Sequence, residues 1–367
     1  MRIISYEIKK LLNWKVLVLV FLISLLFIEL FMRFEFEYFP NGRPMGDVFK
    51  ISQQMIEKYG QEMDETEFQD FKNTYQEEVV KAEGYLREEG VSSYEQFRNH
   101  GGHLADEIML EKGVDLFWEL QAREGIIEDY ERRREGFILR TENIDNSAWK
   151  EDILKGTSIN SILPYIVYEN YNNLISRLAV LIMVSVMIVT GRVFITDTKN
   201  NAMSLQYSTL TGRKLFKYKT ISSLITALLL TTIYVGVFLI AYRSNDTSAF
   251  LHSSLHSYEN LFYIFWVDMS FLKYIILTIA GVYLLALVSA SVTTYLSRTV
   301  SNYFSLIGSQ VPVVVILIIL VLQYIISDLF SVRYPMWLTI GTYVVLLIIG
   351  LMLLVLRWKK EKRRDIG

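Results

Sequence analysis

The chain has 367 residues, 52% of them hydrophobic and 21% charged, with a mean hydropathy of +0.28, which is too apolar for one soluble domain of this length and points to a membrane protein. The formal net charge is only −2, yet residues 33–172 hold 30 Asp and Glu against 16 Lys and Arg, so an acidic stretch of −14 is set into a basic remainder of +12. Cysteine is absent and histidine numbers four, which excludes disulfides, thiolate metal sites and cysteine nucleophiles and leaves few ligands for metal chemistry.

A helix needs about 20 largely apolar residues to cross the hydrocarbon core. Residues 14–32 form the first such span, with Lys15 at one end and Glu29 near the other. A cleaved signal peptide would share the basic start and apolar core. Phe31-Met32-Arg33-Phe34-Glu35-Phe36 holds no small-x-small cleavage pattern, so the span reads as an uncleaved anchor.

Residues 33–172 then read as an acidic, mostly helical domain on the far side of the membrane. From Asp64, the residues Phe68, Phe71, Tyr75, Val79, Ala82 and Leu86 recur at steps of three and four, and Gly90 is a stop. Residues 115–134 repeat Leu116, Leu120, Ile127 and Tyr130, and breaks are expected at Gly60, Gly101-Gly102, Gly113 and Gly136. The acidity serves either solubility or a cation-attracting surface, and the sequence leaves both open.

The second span falls in residues 173–194, where the fourteen uncharged residues 178–191 reach crossing length only if Arg177 snorkels to the interface. Four windows free of formal charge follow: residues 220–242, 274–297, 299–327 and 334–356. The expected fold is therefore an all-α polytopic membrane protein of six transmembrane helices, with the helical domain inserted between helices 1 and 2. Short segments on one side hold sixteen Lys and Arg, those on the other two or three, which places both termini and a basic 357–367 tail in the cytoplasm. Tyr258, Phe262, Tyr263, Phe265 and Trp266 read as an aromatic girdle ahead of span four.

Chemistry-bearing motifs are missing. No Gly is followed by Lys, so a Walker A loop is absent, and there is no H-E-x-x-H. His100 and His103, and His252 and His256, have metal-like spacing without a neighbouring carboxylate ligand, and read as outward, solvated side chains. No catalytic residue, cofactor, metal or nucleic-acid partner is indicated. Inside the spans the polar set is mild: Ser289, Thr293 and Gln310 could line a substrate path, while Gly281, Ala286, Ser289, Ala290 and Ser291 permit close helix contact.

The segment 195–219 is the most informative. Met203, Leu205 and Leu210 can form the apolar face of a short helix bracketed by Asp197, Arg213 and Lys219, an element suited to a groove on a soluble partner. An acid soon after span two, a Leu-containing helix, a Thr-x-Arg turn and a Lys six residues later resemble the coupling segment of ABC-2 type transporter permeases. The start Ser5-Tyr-Glu7-Ile-Lys9-Lys10 is similar to the amphipathic interfacial helix with which those permeases begin, here residues 1–13, with Glu7, Lys9 and Lys10 as its charges. The family's acid-then-Gly pattern is replaced by Asp197-Thr-Lys-Asn-Asn201.

The resemblance implies a multi-pass permease in the cell membrane, not itself an enzyme, that exports a lipid, peptide antibiotic or small amphiphile. Its partners would be P-loop ATPase subunits, a second or homologous permease and membrane lipids, with Asp197, Leu205, Arg213 and Lys219 coupling to the ATPase. Two alternatives stand beside it: a mechanotransmitting permease acting on an outside partner, and a polytopic sensor without transport.

Overall fold

The computed structural model describes residues 2–100, 102–200, 206 and 212–362, the side chains of His100 and Arg213 excepted. It is 80% helical, with no strand among the described residues. In chain order the helices are α1 (Arg2–Leu11), α2 (Trp14–Phe31), α3 (Arg33–Glu37), α4 (Met45–Tyr59), α5 (Glu65–Glu88), α6 (Tyr94–His100), α7 (Gly102–Asp106), α8 (Asp115–Glu131), α9 (Arg133–Arg140) and α10 (Ser147–Lys155). They continue with α11 (Tyr165–Thr190), α12 (Arg192–Lys199), α13 (Leu215–Tyr242), α14 (Phe271–Thr299), α15 (Tyr303–Leu320) and α16 (Met336–Lys362). Two compact units result: one of Met1–Phe36, Asn172–Ser244 and Ile275–Gly367, the other of Glu37–Tyr171 and Asn245–Tyr274.

Six helices among the described residues are long and apolar enough to cross a membrane: Trp14–Phe31, Tyr165–Lys199, Leu215–Asn245, Phe271–Thr299, Tyr303–Ile325 and Met336–Lys362. The protein is thus a multi-pass membrane protein by length and composition. Within the first unit the spans are not equivalent. The most apolar windows of Tyr165–Lys199 and Phe271–Thr299 are 83% and 61% buried, against 11% for α2 and 17% for α16. The inner helices carry the Ser, Thr, Asn and Gly residues that allow backbones to approach and hydrogen-bond, whereas the outer ones present Leu, Ile and Val outward, as contact with lipid tails requires. At Gly281 a Cβ would collide with the Tyr343 hydroxyl, and at Gly350 it would stand 3.4 Å from Ser291 Cβ, so α14 and α16 touch where side chains are smallest.

The second span differs from expectation. It is a 35-residue stretch rather than a short one, and Arg177 pairs with Glu35 at 3.0 Å and donates to Phe31 O at 2.6 Å, at the end of the first span. The stretch is interrupted at Gly191, and the interruption is tied by Ser297 of α14, which donates to Gly191 O at 2.7 Å and accepts from Phe194 N at 3.2 Å. At both later ends the helices outrun the expected windows. Lys219 lies inside α13 rather than ending a loop, and α16 continues through Lys362, so the basic tail begins as helix.

In the second unit Asp64 caps α5 in a capping box with Glu67, as its sequence pattern requires. Ala82, Leu86, Tyr94, Phe97, Ile108, Phe117 and Leu120 form one buried cluster, and Phe68 stacks on Tyr130 at 4.1 Å. Gly60, Gly90 and Gly113 break helices with positive φ, but Gly136 lies inside α9. The larger correction concerns residues 245–274, which belong to this unit. Tyr258 and Phe265, expected in an interfacial girdle, are fully buried against Tyr130 and Tyr168. His256 is buried too, with Nε2 2.9 Å from Phe265 O and Nδ1 3.5 Å from Asp268, while His252 is exposed as expected.

Candidate functional site

The amphipathic α1 turns Glu7 and Leu11, one helical turn apart, toward α12 and α13. Lys219, in the second turn of α13, has a side chain 1% exposed and uses all three of its donors: Glu7 Oε2 accepts at 3.1 Å, Val193 O at 3.0 Å, and Asp197 Oδ2 accepts the third. The second Asp197 oxygen accepts from Lys10, whose Nζ lies 3.7 Å from Glu7 Oε2. Two cations and two anions thus cancel in a buried site. Burying charge is tolerable because each group is paired and hydrogen-bonded. The Phe194 ring, stacked on Phe216 at 17° between planes, lies 5.4 Å from Lys219 Nζ.

Asp197 and Lys219 therefore meet each other, together with Glu7 and Lys10. Lys9 faces outward. Leu205 lies outside the described residues, as does the side chain of Arg213. What the sequence reading missed was the pairing of the N-terminal helix with the ends of the 200–214 segment. The available signal was Glu7, an acid on the same face as Leu11, which demands a basic partner.

A second ionic group joins α14 to α16. Arg298 Nη2 reaches Glu361 Oε2 at 2.9 Å, Arg357 Nε reaches Glu361 Oε1 at 3.1 Å, and Arg357 Nη2 donates to Arg298 O at 3.2 Å. These residues border a cavity of about 1050 Å³ that Thr198, Lys359 and Lys360 also line. Counting the tail by its Lys and Arg hid Glu361, the acid that pairs with Arg298 and Arg357.

The three proposed path residues divide. Gln310 Nε2 donates to Thr293 Oγ1 and to Met187 O, each at 3.3 Å, so Gln310 and Thr293 are joined. Ser289 is buried, and its hydroxyl has no hydrogen-bond partner among the described residues. Gln310 lines a cavity of about 630 Å³ bounded by α2, α11, α12 and α15.

In the second unit, Glu259 is buried with Ser52 Oγ donating to it at 2.9 Å. Desolvation pushes its carboxyl up to about 8, with repulsion from Asp129 adding to the effect and the Ser52 bond opposing it. No group of three or more His, Asp or Glu able to hold a metal occurs among the described residues. Comparison with protein-family models, curated proteins and solved structures gives no match.

Proposed function

We propose that this chain is the membrane-spanning permease subunit of an ABC-2 type ATP-driven transporter, exporting a lipid, peptide antibiotic or small amphiphile. In this reading it lies in the cell membrane with both termini in the cytoplasm, the second unit outside, and works with a second permease and separate P-loop ATPase subunits. The supporting observation is the buried group Glu7, Lys10, Asp197 and Lys219. It clamps together the two ends of the 200–214 segment and the N-terminal helix. A push on that segment would then load α12, α13 and α1 as one body rather than bending a loose loop, which is how a small displacement becomes a tilt of packed helices.

Because Asp197 and Lys219 are turned inward, direct contact with the ATPase falls to Leu205 and Arg213. Purification of the tagged chain in mild detergent should bring a P-loop ATPase with it. Replacing Leu205 and Arg213 together should uncouple ATP hydrolysis from transport while leaving insertion intact. Recovery of the chain without any nucleotide-hydrolysing partner, or normal coupling in the double variant, overturns the assignment.

A further inference from the structure

The cavity between α2, α11, α12 and α15 holds about 630 Å³, within the range of ligand sites, and most of its wall is Leu, Ile and Val. Its polar groups are Arg192, Tyr303 and Gln310. Gln310 is committed to Met187 and Thr293, and the Tyr303 hydroxyl lies 3.1 Å from Thr196 Oγ1. Arg192 is different: its Nη1 is buried and has no hydrogen-bond partner, and no carboxylate pairs with it among the described residues. A guanidinium held at a span boundary without a counter-ion calls for an anion from elsewhere. Arg192 is partly exposed, yet its Nη1 points into the protein, so water at the rest of the guanidinium leaves that donor unsatisfied.

The shape selects the anion's source. From Tyr303 to Val315 the wall of α15 runs about 18 Å by helical rise, close to the ~15 Å of hydrocarbon in one leaflet. Along the helices Arg192 and Tyr303 lie toward one end, Gln310 stands between, and Val184, Val314 and Val315 make the other end apolar. Ile307 and Val311 are 59% and 54% exposed, so the flank opens sideways onto the face where lipid tails lie.

We infer that this cavity binds one anionic phospholipid of the surrounding bilayer, its phosphate on Arg192 and an acyl chain along Ile188, Val311 and Val315. The guanidinium gives charge-assisted, forked hydrogen bonds to phosphate oxygens, and Tyr303 borders the headgroup. This needs only a chain embedded in a bilayer and stands or falls apart from the permease reading.

The test uses the full chain reconstituted in phosphatidylcholine vesicles containing a minor fraction of phosphatidylglycerol, with retained lipid read by native mass spectrometry. The wild type should keep one phosphatidylglycerol per chain, enriched over its share of the vesicle. Arg192→Gln should cut that enrichment about tenfold or more, the loss of one charge-assisted contact, and Arg192→Lys should keep part of it. Val314→Trp, with the cation in place, should expel lipid of either class. An Arg192→Gln chain that retains phosphatidylglycerol as the wild type does overturns the inference. So does a wild type that retains both lipids in proportion to the vesicle, or cross-linking that finds a second copy of the chain seated in the cavity.

Discussion

Glu7 and Lys219, 212 positions apart, meet at 3.1 Å with side chains only 5% and 1% exposed. Exposed ion pairs contribute little, because water already solvates both partners. Here the N-terminal helix supplies a second carboxylate to a buried lysine already paired with Asp197, so α1 is tied into the helical body.

Lys219→Met should therefore be severe. It leaves Glu7 and Asp197 with Lys10 alone, and stripping one partner from a buried charge group costs about 3–5 kcal/mol. Glu7→Gln combined with Lys219→Met restores neutrality, leaving the Lys10 and Asp197 pair, and should cost less than the two single changes added. Lys9→Gln, on the exposed face, should lie within about 0.5 kcal/mol of wild type. Thermal unfolding in detergent reads all four. Strict additivity of the double change would show that the charges do not act as one group.

Glu259 makes stability depend on pH. Its folded-state value of about 8 lies above its ordinary 4.5, so between those limits the folded protein holds a proton that the unfolded chain releases. Stability must then fall as pH rises through this window and level off above it. Glu259→Gln keeps the shape and an acceptor for Ser52 but cannot ionise. Its unfolding temperature should lack that decline and exceed the wild type's above about pH 8. Parallel curves for the two proteins would mean that Glu259 ionises freely in the folded state.

Much of this was legible in the sequence because crossing a bilayer imposes a strong local signal. Four uncharged windows marked spans three to six, and the apolar period that begins after Asp64 marked α5. What stayed hidden was long-range. The 245–274 segment has no helical period and reads as a loop, and its membership in the second unit depends on contacts such as Ser52 with Glu259 across 207 positions. The partner of Arg177 was hidden because Glu35 lies in another span's flank. Charge counting by segment likewise assigned Glu361 and Lys219 to loops and tails, whereas burial turned each toward a specific counter-ion.

Gly281 gives a test of packing inside the membrane. A Cβ there would strike the Tyr343 hydroxyl, which donates to Ile325 O, and would stand 3.0 Å from Ile326 Cδ1. Gly281→Ala should destabilise by about 1–3 kcal/mol, the usual cost of overpacking. Tyr343→Phe removes the colliding atom, so Gly281→Ala with Tyr343→Phe should be less damaged than the sum of its parts. Gly350→Ala, whose nearest neighbour is Ser291 Cβ at 3.4 Å, should be close to neutral. If Gly281→Ala is equally neutral, the helices have slack at that crossing.

Tyr234 decides how firmly the first span is held. The hydroxyl of this α13 residue lies 2.6 Å from Ser24 Oγ on α2 and 2.9 Å from Ser185 Oγ on α11, so one group ties three helices. The most apolar window of α2 is only 11% buried, and Ser24 is one of its few inward polar side chains. Hydrogen bonds between membrane helices contribute about 0.6 kcal/mol each, with ~1.7 kcal/mol near the upper end. Tyr234→Phe loses both and should lower stability by about 1 kcal/mol in detergent unfolding. Ser24→Ala should lose one, and in combination with Tyr234→Phe should add little, because the shared bond is already gone. Full additivity of those two substitutions would mean that the Ser24 and Tyr234 hydroxyls do not bond in the folded protein.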